Sequence, residues 1–323
     1  MNILLLAWNR FRTRRPKGNI GHELFRRDLA KYHNVAFYGL GYFCNFSYDV
    51  TIHDLFEKYG KPDLVFVHSE HRERKFPAGI FDELGKLDIL KVHYCGDYVG
   101  RAWDAYDDHF RKIQYDIIFV PVSQFLVILK EHGIGGEHFL LPFSVDTSVF
   151  YDRRLEKVLD VAVPISPTAR SRKRLKKFVD QLDVKTSTSK ISFDGYIQRI
   201  NESKIIVTHK KYKFLSLKWT EVLACGTLMM GNKPEDFDRV GFKDGEHAII
   251  YDGFKDLEEK IDYFLKHDRE REAIAKNGME FVRKYHSNKV RVAELTEMIQ
   301  TRKQIDWIER IGRNFTPIFP IHR

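Results

Sequence analysis

One carboxylate stands out for its company. Glu221 lies in the segment Lys218-Trp219-Thr220-Glu221-Val222-Leu223-Ala224-Cys225-Gly226-Thr227-Leu228-Met229-Met230. The segment reads as a helix that stops at Gly226 and passes at once into a strand. A helix glutamate is usually solvated, yet the neighbours here are aromatic and apolar. A carboxylate so placed can accept a pair of hydrogen bonds from vicinal hydroxyls, as on a ribose. Cations concentrate in three places. Arg10, Arg12, Arg14, Arg15 and Lys17 have no acid among the first 22 residues. Arg170, Arg172, Lys173, Arg174, Lys176 and Lys177 form a second group, and Lys204, Lys210, Lys211, Lys213 and Lys218 a third. Like charges held together repel unless an anion meets them, so the Arg10–Lys17 loop points to an anionic partner. Nucleic acid with a hydroxylated base, a teichoic-type polymer or an anionic lipid surface each fits, and Trp8 and Phe11 suit base stacking. Gly18 and Gly21 precede a helix whose first amides can meet an anion. Neither GxGxxG nor GxxxxGK[ST] occurs, which leaves a dehydrogenase or a P-loop NTPase unsupported. Asp236-x-Asp238 beside Pro234 reads as a surface turn rather than a metal site.

The elements that must carry these residues alternate. Ile3–Trp8, Val35–Tyr38, Leu64–His68, Ile89–Tyr94 and Ile117–Val122 are apolar runs of strand length. Residues 51–59, 76–87 and 101–114 leave room for helices between them. Continuous apolar strands alternating with helices predict a parallel sheet covered on both faces. Ligands of such a doubly wound domain gather at the C-terminal ends of the strands. His93 and Asp97 end the fourth strand there, and His68 and Glu70 the third. The second half repeats the logic. Strands are expected at Val158–Ile165, Lys190–Phe193, Ile205–Thr208, Leu228–Gly231 and Ile249–Tyr251, with a basic helix over 170–182. Leu257, Ile261, Phe264 and Leu265 mark an amphipathic helix, and residues 269–285 another. The expected division is a first domain over 1–145, a second over 146–302, and a tail over 303–323 packing back on the first as a last helix. Two such domains facing each other would frame a cleft for ligands.

Composition bounds the reading. The 323 residues hold 54 Lys+Arg against 45 Asp+Glu, a formal charge of +9. Residues 1–150 carry 19 of each sign, so the excess lies in the second half, which carries 35 against 26. No run of about 18 apolar residues occurs, which argues against a membrane-spanning helix. The first residues lack a basic stretch ahead of Ile3, so they read as a strand rather than a signal peptide. Cys44, Cys95 and Cys225 are far apart, form no CxxC pair, and fit a reducing cytoplasm.

Residues 218–230 resemble the donor-binding motif of the group 1 (family 4-like) glycosyltransferases, roughly Glu-Ala-x-Ala-x-Gly followed by a strand. Lys243-Asp244-Gly245-Glu246-His247-Ala248, Tyr251-Asp252, the helix from Asp256 and Asp268–Ser287 resemble that family's C-terminal module in order and spacing. Leu141-Pro142-Phe143-Ser144-Val145-Asp146-Thr147-Ser148-Val149-Phe150 is similar to its interdomain signature. Together these span roughly residues 115–295. The resemblance implies a GT-B fold of two Rossmann-like α/β domains, the first for the acceptor and the second for a nucleotide-diphosphate sugar. It implies that Glu221 takes the donor's ribose hydroxyls, with Gly226 and Thr227 in the same motif. It also implies that Arg170, Arg172 and Lys173 hold the diphosphate; Gly18 and Gly21, read from the helix start above, are placed at the donor with them. Fixed cations stabilise a leaving diphosphate without metal, so no metal site is expected. The family's earlier Glu, eight positions before Glu221, is Lys213 here. This chain thus resembles more closely the members named after spore-maturation proteins. Asp97 and His93 become candidate catalytic residues, Asp97 as general base if the reaction inverts. Arg10, Arg12, Arg14, Arg15 and Lys17 become the acceptor contacts. A UDP- or GDP-hexose is the expected co-substrate, and hydroxymethylated DNA one acceptor. The competing classes are a non-catalytic nucleic-acid-binding protein on the same fold and a nucleotide-sugar epimerase.

Overall fold

Short strands, with amphipathic helices between them, form two separate parallel sheets in the computed structural model, which describes residues 1–9, 20–42, 47–68, 76–77, 79–96, 103–164, 170–189, 192–209 and 214–315. The chain divides into two compact units. The first takes residues 1–142 and 292–305. The second takes 143–291 and, among the described residues, 306–315.

In chain order the first unit holds β1 (Asn2–Leu6), α1 (Ile20–Tyr32), β2 (Asn34–Tyr38), α2 (Ile52–Tyr59), β3 (Leu64–His68), α3 (Ile80–Lys86), β4 (Leu90–Tyr94), α4 (Trp103–Ile113), β5 (Ile117–Val120), α5 (Ser123–Glu131) and β6 (Glu137–Leu140). The strands are all parallel, in the order β2-β1-β3-β4-β5-β6. β1, β3 and β5 are apolar and almost wholly buried, as strands covered on both faces must be. From β1 the chain steps outward to β2 and then back to β3. Right-handed crossovers therefore place α1 on one face and α2 to α5 on the other. Thr51 starts α2 with a capping box: its hydroxyl accepts from the Asp54 amide while Asp54 accepts from the Thr51 amide. β6 is an edge strand closed by a residue far along the chain. Gln304 accepts from the Leu140 amide at 2.7 Å and donates to the Leu140 carbonyl at 3.2 Å, and Arg302 pairs with Glu137 at 2.6 Å.

The second unit holds β7 (Leu159–Ala162), α6 (Arg170–Val179), β8 (Thr186–Ser187), α7 (Phe193–Asn201), β9 (Ser203–Val207), α8 (Leu217–Ala224), β10 (Leu228–Gly231), β11 (Ile249–Ile250), α9 (Gly253–Lys266) and α10 (Asp268–Tyr285). Its sheet is also parallel, in the order β11-β10-β9-β7-β8. Alternate residues face opposite ways. Val161, Val163, Ile205, Val207, Leu228 and Met230 pack with Leu175 and Val179 of α6 and Leu257, Ile261 and Phe264 of α9. Right-handed crossovers place α7 and α8 together on the other face. Two glycines let α8 sit close. A Cβ on Gly231 would come within 2.5 Å of Trp219, and one on Gly278 of α10 within 2.8 Å of Leu223.

The sequence expectations differ from the structure at several elements. Phe193 opens a helix rather than closing a strand over 190–193. Ser192 caps that helix by accepting from the Gly195 amide at 3.2 Å, and residues 190 and 191 lie outside the described residues. α5, β6 and α7 were not anticipated. Over the described part of the tail, residues 303–315, only one short segment is helical. α11 (Asn288–Thr301) passes from the second unit to the first, and α12 (Trp307–Gly312) belongs to the second. Among the described residues, no helix is long and apolar enough to cross a membrane.

Candidate active site

All strands of the second sheet run the same way, so β7, β9, β10 and β11 end on one edge. Pro164, Thr208, Asn232 and Tyr251 follow those ends, and α6 begins at the same edge with Arg170. α8 returns against the strand direction, so Lys218 near its start lies on this edge while Gly226 lies at the other. Glu221 stands between them and is 7% exposed.

Glu221 is built into a relay. The Tyr196 hydroxyl of α7 donates to its Oε2 at 2.8 Å. Lys218 Nζ donates to the Tyr196 oxygen at 2.9 Å and to the Pro164 carbonyl at 3.1 Å, and lies 4.2 Å from the Tyr196 ring centroid. Burial raises the Glu221 carboxyl above its ordinary range, while Lys218 and the Tyr196 hydrogen bond pull it back down. Burial also lowers the Lys218 ammonium to about 8; Glu221 opposes that shift and Arg172 adds to it. Tyr196 is raised by burial and by Glu221, so its proton stays on the phenol.

The basic start of α6 reaches the same edge. Arg172 donates to the His209 carbonyl at 3.4 Å. The His209 ring meets the Tyr251 hydroxyl at 3.1 Å, and that hydroxyl donates to the Thr208 carbonyl at 2.9 Å. Arg170 and Lys173 are exposed. The rest of this cluster is otherwise engaged: Arg174 lies over Phe254 and Lys176 donates to the Thr188 carbonyl. The third cluster disperses, with Lys204 paired to Asp160 at 2.7 Å and Lys210, Lys211 and Lys213 outside the described residues. The edge thus combines a buried carboxylate, a poised ammonium and guanidinium groups, a set suited to hydroxyls and phosphate together.

Several expected residues sit elsewhere. Gly226 ends α8 with φ +67° and a hydrogen bond from its amide to Leu223, and a Cβ there would meet Met279. Thr227 is 1% exposed, donates to the Ile200 carbonyl at 2.8 Å and accepts from Lys157 at 3.0 Å. Both stand where β10 begins, on the opposite edge from Lys218, which corrects their assignment to the donor: they shape the helix-to-strand turn. His93 is corrected too. It is 0% exposed and ringed by Tyr106, His109, Phe110 and Tyr115, with centroids 5.0 to 6.2 Å away. A ring so enclosed packs the core of the first unit. Gly21 lies buried in the first turn of α1. Asp97, Glu70, Gly18, Arg10, Arg12, Arg14, Arg15 and Lys17 lie outside the described residues. Asp238 pairs with Lys233 at 2.6 Å in a turn, and no group of three or more His, Cys, Asp or Glu among the described residues could hold a metal ion.

Sequence reasoning passed over Lys218 and Tyr196 as parts of the site. Lys218 carries a signal, three residues before Glu221 on one helix. Tyr196 carries none, because only the packing of α7 beside α8 brings it there.

Residues 169–297 match the family model described as glycosyl transferase-like. No curated protein matches the sequence. Solved structures with the same fold include the sucrose-phosphate synthase of Thermosynechococcus elongatus, at 11% identity and TM-score 0.63 over 93% of this chain and 98% of that one. HepE of Anabaena in complex with UDP is similar at 11% identity and TM-score 0.64, over 93% of this chain and 100% of that one. Another structure of HepE holds UDP-glucose. A glycosyltransferase of Rickettsia africae gives 11% identity and TM-score 0.62 over 93% of this chain and 98% of that one. The fold is that of the GT-B glycosyltransferases, two parallel-sheet α/β domains.

Proposed function

We propose that this chain, GT-B in fold and glycosyl transferase-like over 169–297, is a glycosyltransferase that moves a hexose from a nucleoside-diphosphate sugar to a hydroxyl of an anionic acceptor. The observation that carries this reading is the half-open relay around Glu221, beside the basic start of α6 on one sheet edge. Glu221 accepts hydrogen bonds from the two ribose hydroxyls. Arg170, Arg172 and Lys173 meet the diphosphate, and their charge stabilises it as it leaves with the bonding electrons of the glycosidic C–O bond. Those cations take the part that a metal plays elsewhere, so EDTA should leave turnover intact. Asp97, three residues after β4 in sequence, is the proposed base for the acceptor hydroxyl should the reaction invert. HepE holds UDP and UDP-glucose, which makes UDP the first nucleotide to try and GDP the second.

The acceptor is read from sequence. Arg10, Arg12, Arg14, Arg15 and Lys17 suit a polyanion, and hydroxymethylated DNA is one that offers a hydroxyl. Protein in the reducing cytoplasm suits such an acceptor. The test is nucleotide binding followed by transfer. UDP or GDP should raise the unfolding temperature. Glu221→Ala should weaken that nucleotide about tenfold or more, as expected for a hydrogen-bonding carboxylate. An unchanged affinity in Glu221→Ala removes the ribose assignment. A nucleotide sugar that is never consumed, by water or by any acceptor, favours a binding protein instead.

A further inference from the structure

Glu221 alone does not account for the geometry around it. An ammonium can only donate and a carboxylate can only accept, so both hydrogen bonds of Tyr196 have a fixed direction. Lys218 donates to the phenolic oxygen, and the phenolic proton points to Glu221 Oε2. We infer that Tyr196 and Lys218 are positioning residues for Glu221, a charge-ordered relay that holds the carboxylate ionised and in one orientation for the nucleotide. The inference rests on the reading of Glu221 as the ribose-binding group.

The physical need is plain. A carboxylate 7% exposed loses either its charge or its fixed position unless partners compensate for burial. Both Lys218 and Tyr196 act in that sense on Glu221. The groups that face the relay are Lys218, Glu221 and Cys225 on α8, Tyr196 on α7 and Arg172 on α6. Burial pushes the Cys225 thiol up to about 12, so it stays neutral and adds no charge. α10 meets α8 through Gly278 against Leu223, an apolar contact. The relay is also incomplete in an informative way. Pro164 and Tyr196 take two of the three Lys218 protons, and Glu221 Oε1 has no hydrogen bond among the described residues. One donor and one acceptor are left for a ligand.

The test is calorimetric binding of UDP and of GDP to the full chain between about pH 6 and 9.5. The wild type is compared with Tyr196→Phe, Lys218→Arg and Lys218→Met, each checked by urea unfolding. Tyr196→Phe keeps the ring under Lys218 and removes only the hydroxyl. It should weaken nucleotide binding about tenfold at neutral pH. The loss should deepen as pH falls, because Glu221 without that donor protonates at higher pH. Wild-type affinity should fall as pH rises through about 8, where Lys218 gives up its proton. Lys218→Arg, which cannot deprotonate, should bind at neutral pH and lack that alkaline fall. Lys218→Met should bind weakly throughout. A wild type that binds nucleotide while Tyr196→Phe binds equally well at every pH overturns the relay. So does Lys218→Arg retaining the alkaline fall. A wild type that binds neither UDP nor GDP overturns the functional reading itself, and the relay with it.

Discussion

Each unit buries the same three-part arrangement, and the two copies are finished differently. In the first, Arg26 Nη1 donates to the Tyr42 hydroxyl at 3.0 Å, and that hydroxyl donates to Glu23 Oε2 at 2.9 Å. In the second, Lys218, Tyr196 and Glu221 repeat the pattern. In both, cation and carboxylate are three residues apart on one helix. In the first arrangement both carboxylate oxygens are engaged: Arg26 also donates to His68 Nδ1, the His68 carbonyl and the Trp8 carbonyl, and Glu23 Oε1 accepts from Arg27. The order along the helix also differs. Glu23 sits in the first turn of α1, where the helix dipole favours an acid, whereas Lys218 is the second residue of α8, where the dipole disfavours a cation. The first carboxylate is therefore fully paired, while Glu221 Oε1 has no hydrogen bond among the described residues. Similar parts make a brace in one place and, in the proposed reading, a binding group in the other, according to whether the carboxylate keeps an oxygen unpaired.

The comparison breaks most sharply at Arg26. Arg26→Met should cost about 3–5 kcal/mol in urea unfolding, because it strands Glu23 and His68 in the core. Lys218→Met should cost clearly less stability while losing nucleotide. Equal losses would erase the distinction. A middle-sized effect is expected at Gly231. Gly231→Val must push Trp219 aside and tilt α8, costing about 1–3 kcal/mol and shifting Glu221 with it. Retained nucleotide affinity in that variant would show that the relay does not depend on the seating of α8. The smallest effect concerns acid. His68 in the first unit and His286 in the second are fully buried, and burial holds both well below the usual histidine range. The unfolded chain takes up protons that the folded one refuses. Stability is thus full above about pH 6.5 and is lost as pH falls. His68→Gln keeps an acceptor for Arg26 and should make the slope between about pH 6.5 and 5 shallower. An unchanged slope would remove His68 from the acid response.

Much of this was legible in the residues, for identifiable reasons. β1, β3 and β5 are apolar runs because both faces of their sheet are covered. Glu221 declared itself through the helix-glycine-strand pattern around it. β6 was hidden because an edge strand needs little apolar surface. α7 was misjudged over its first turn, where Ser192 capping outweighed a short apolar stretch. α11 changes unit between Arg291 and Val292, so it is buried nearly all round and shows no single apolar stripe. His93 could be placed at a strand end, but its aromatic cage comes mostly from α4 and Tyr115, which no local spacing reveals. Tyr196 lies 25 positions from Glu221, joined to it only by the register of two helices on one sheet face.

The clamp on β6 carries a consequence for the order of folding. Gln304 and Leu140 are 164 positions apart, and everything between 143 and 291 belongs to the other unit. As the chain leaves the ribosome, the first sheet is made early yet keeps an open edge until residues 143–291 of the second unit have been synthesised. The later unit can close its own sheet from contiguous chain, whereas the earlier one waits for a distant amide to seal it. Vectorial synthesis therefore starts with one sheet and finishes the other first.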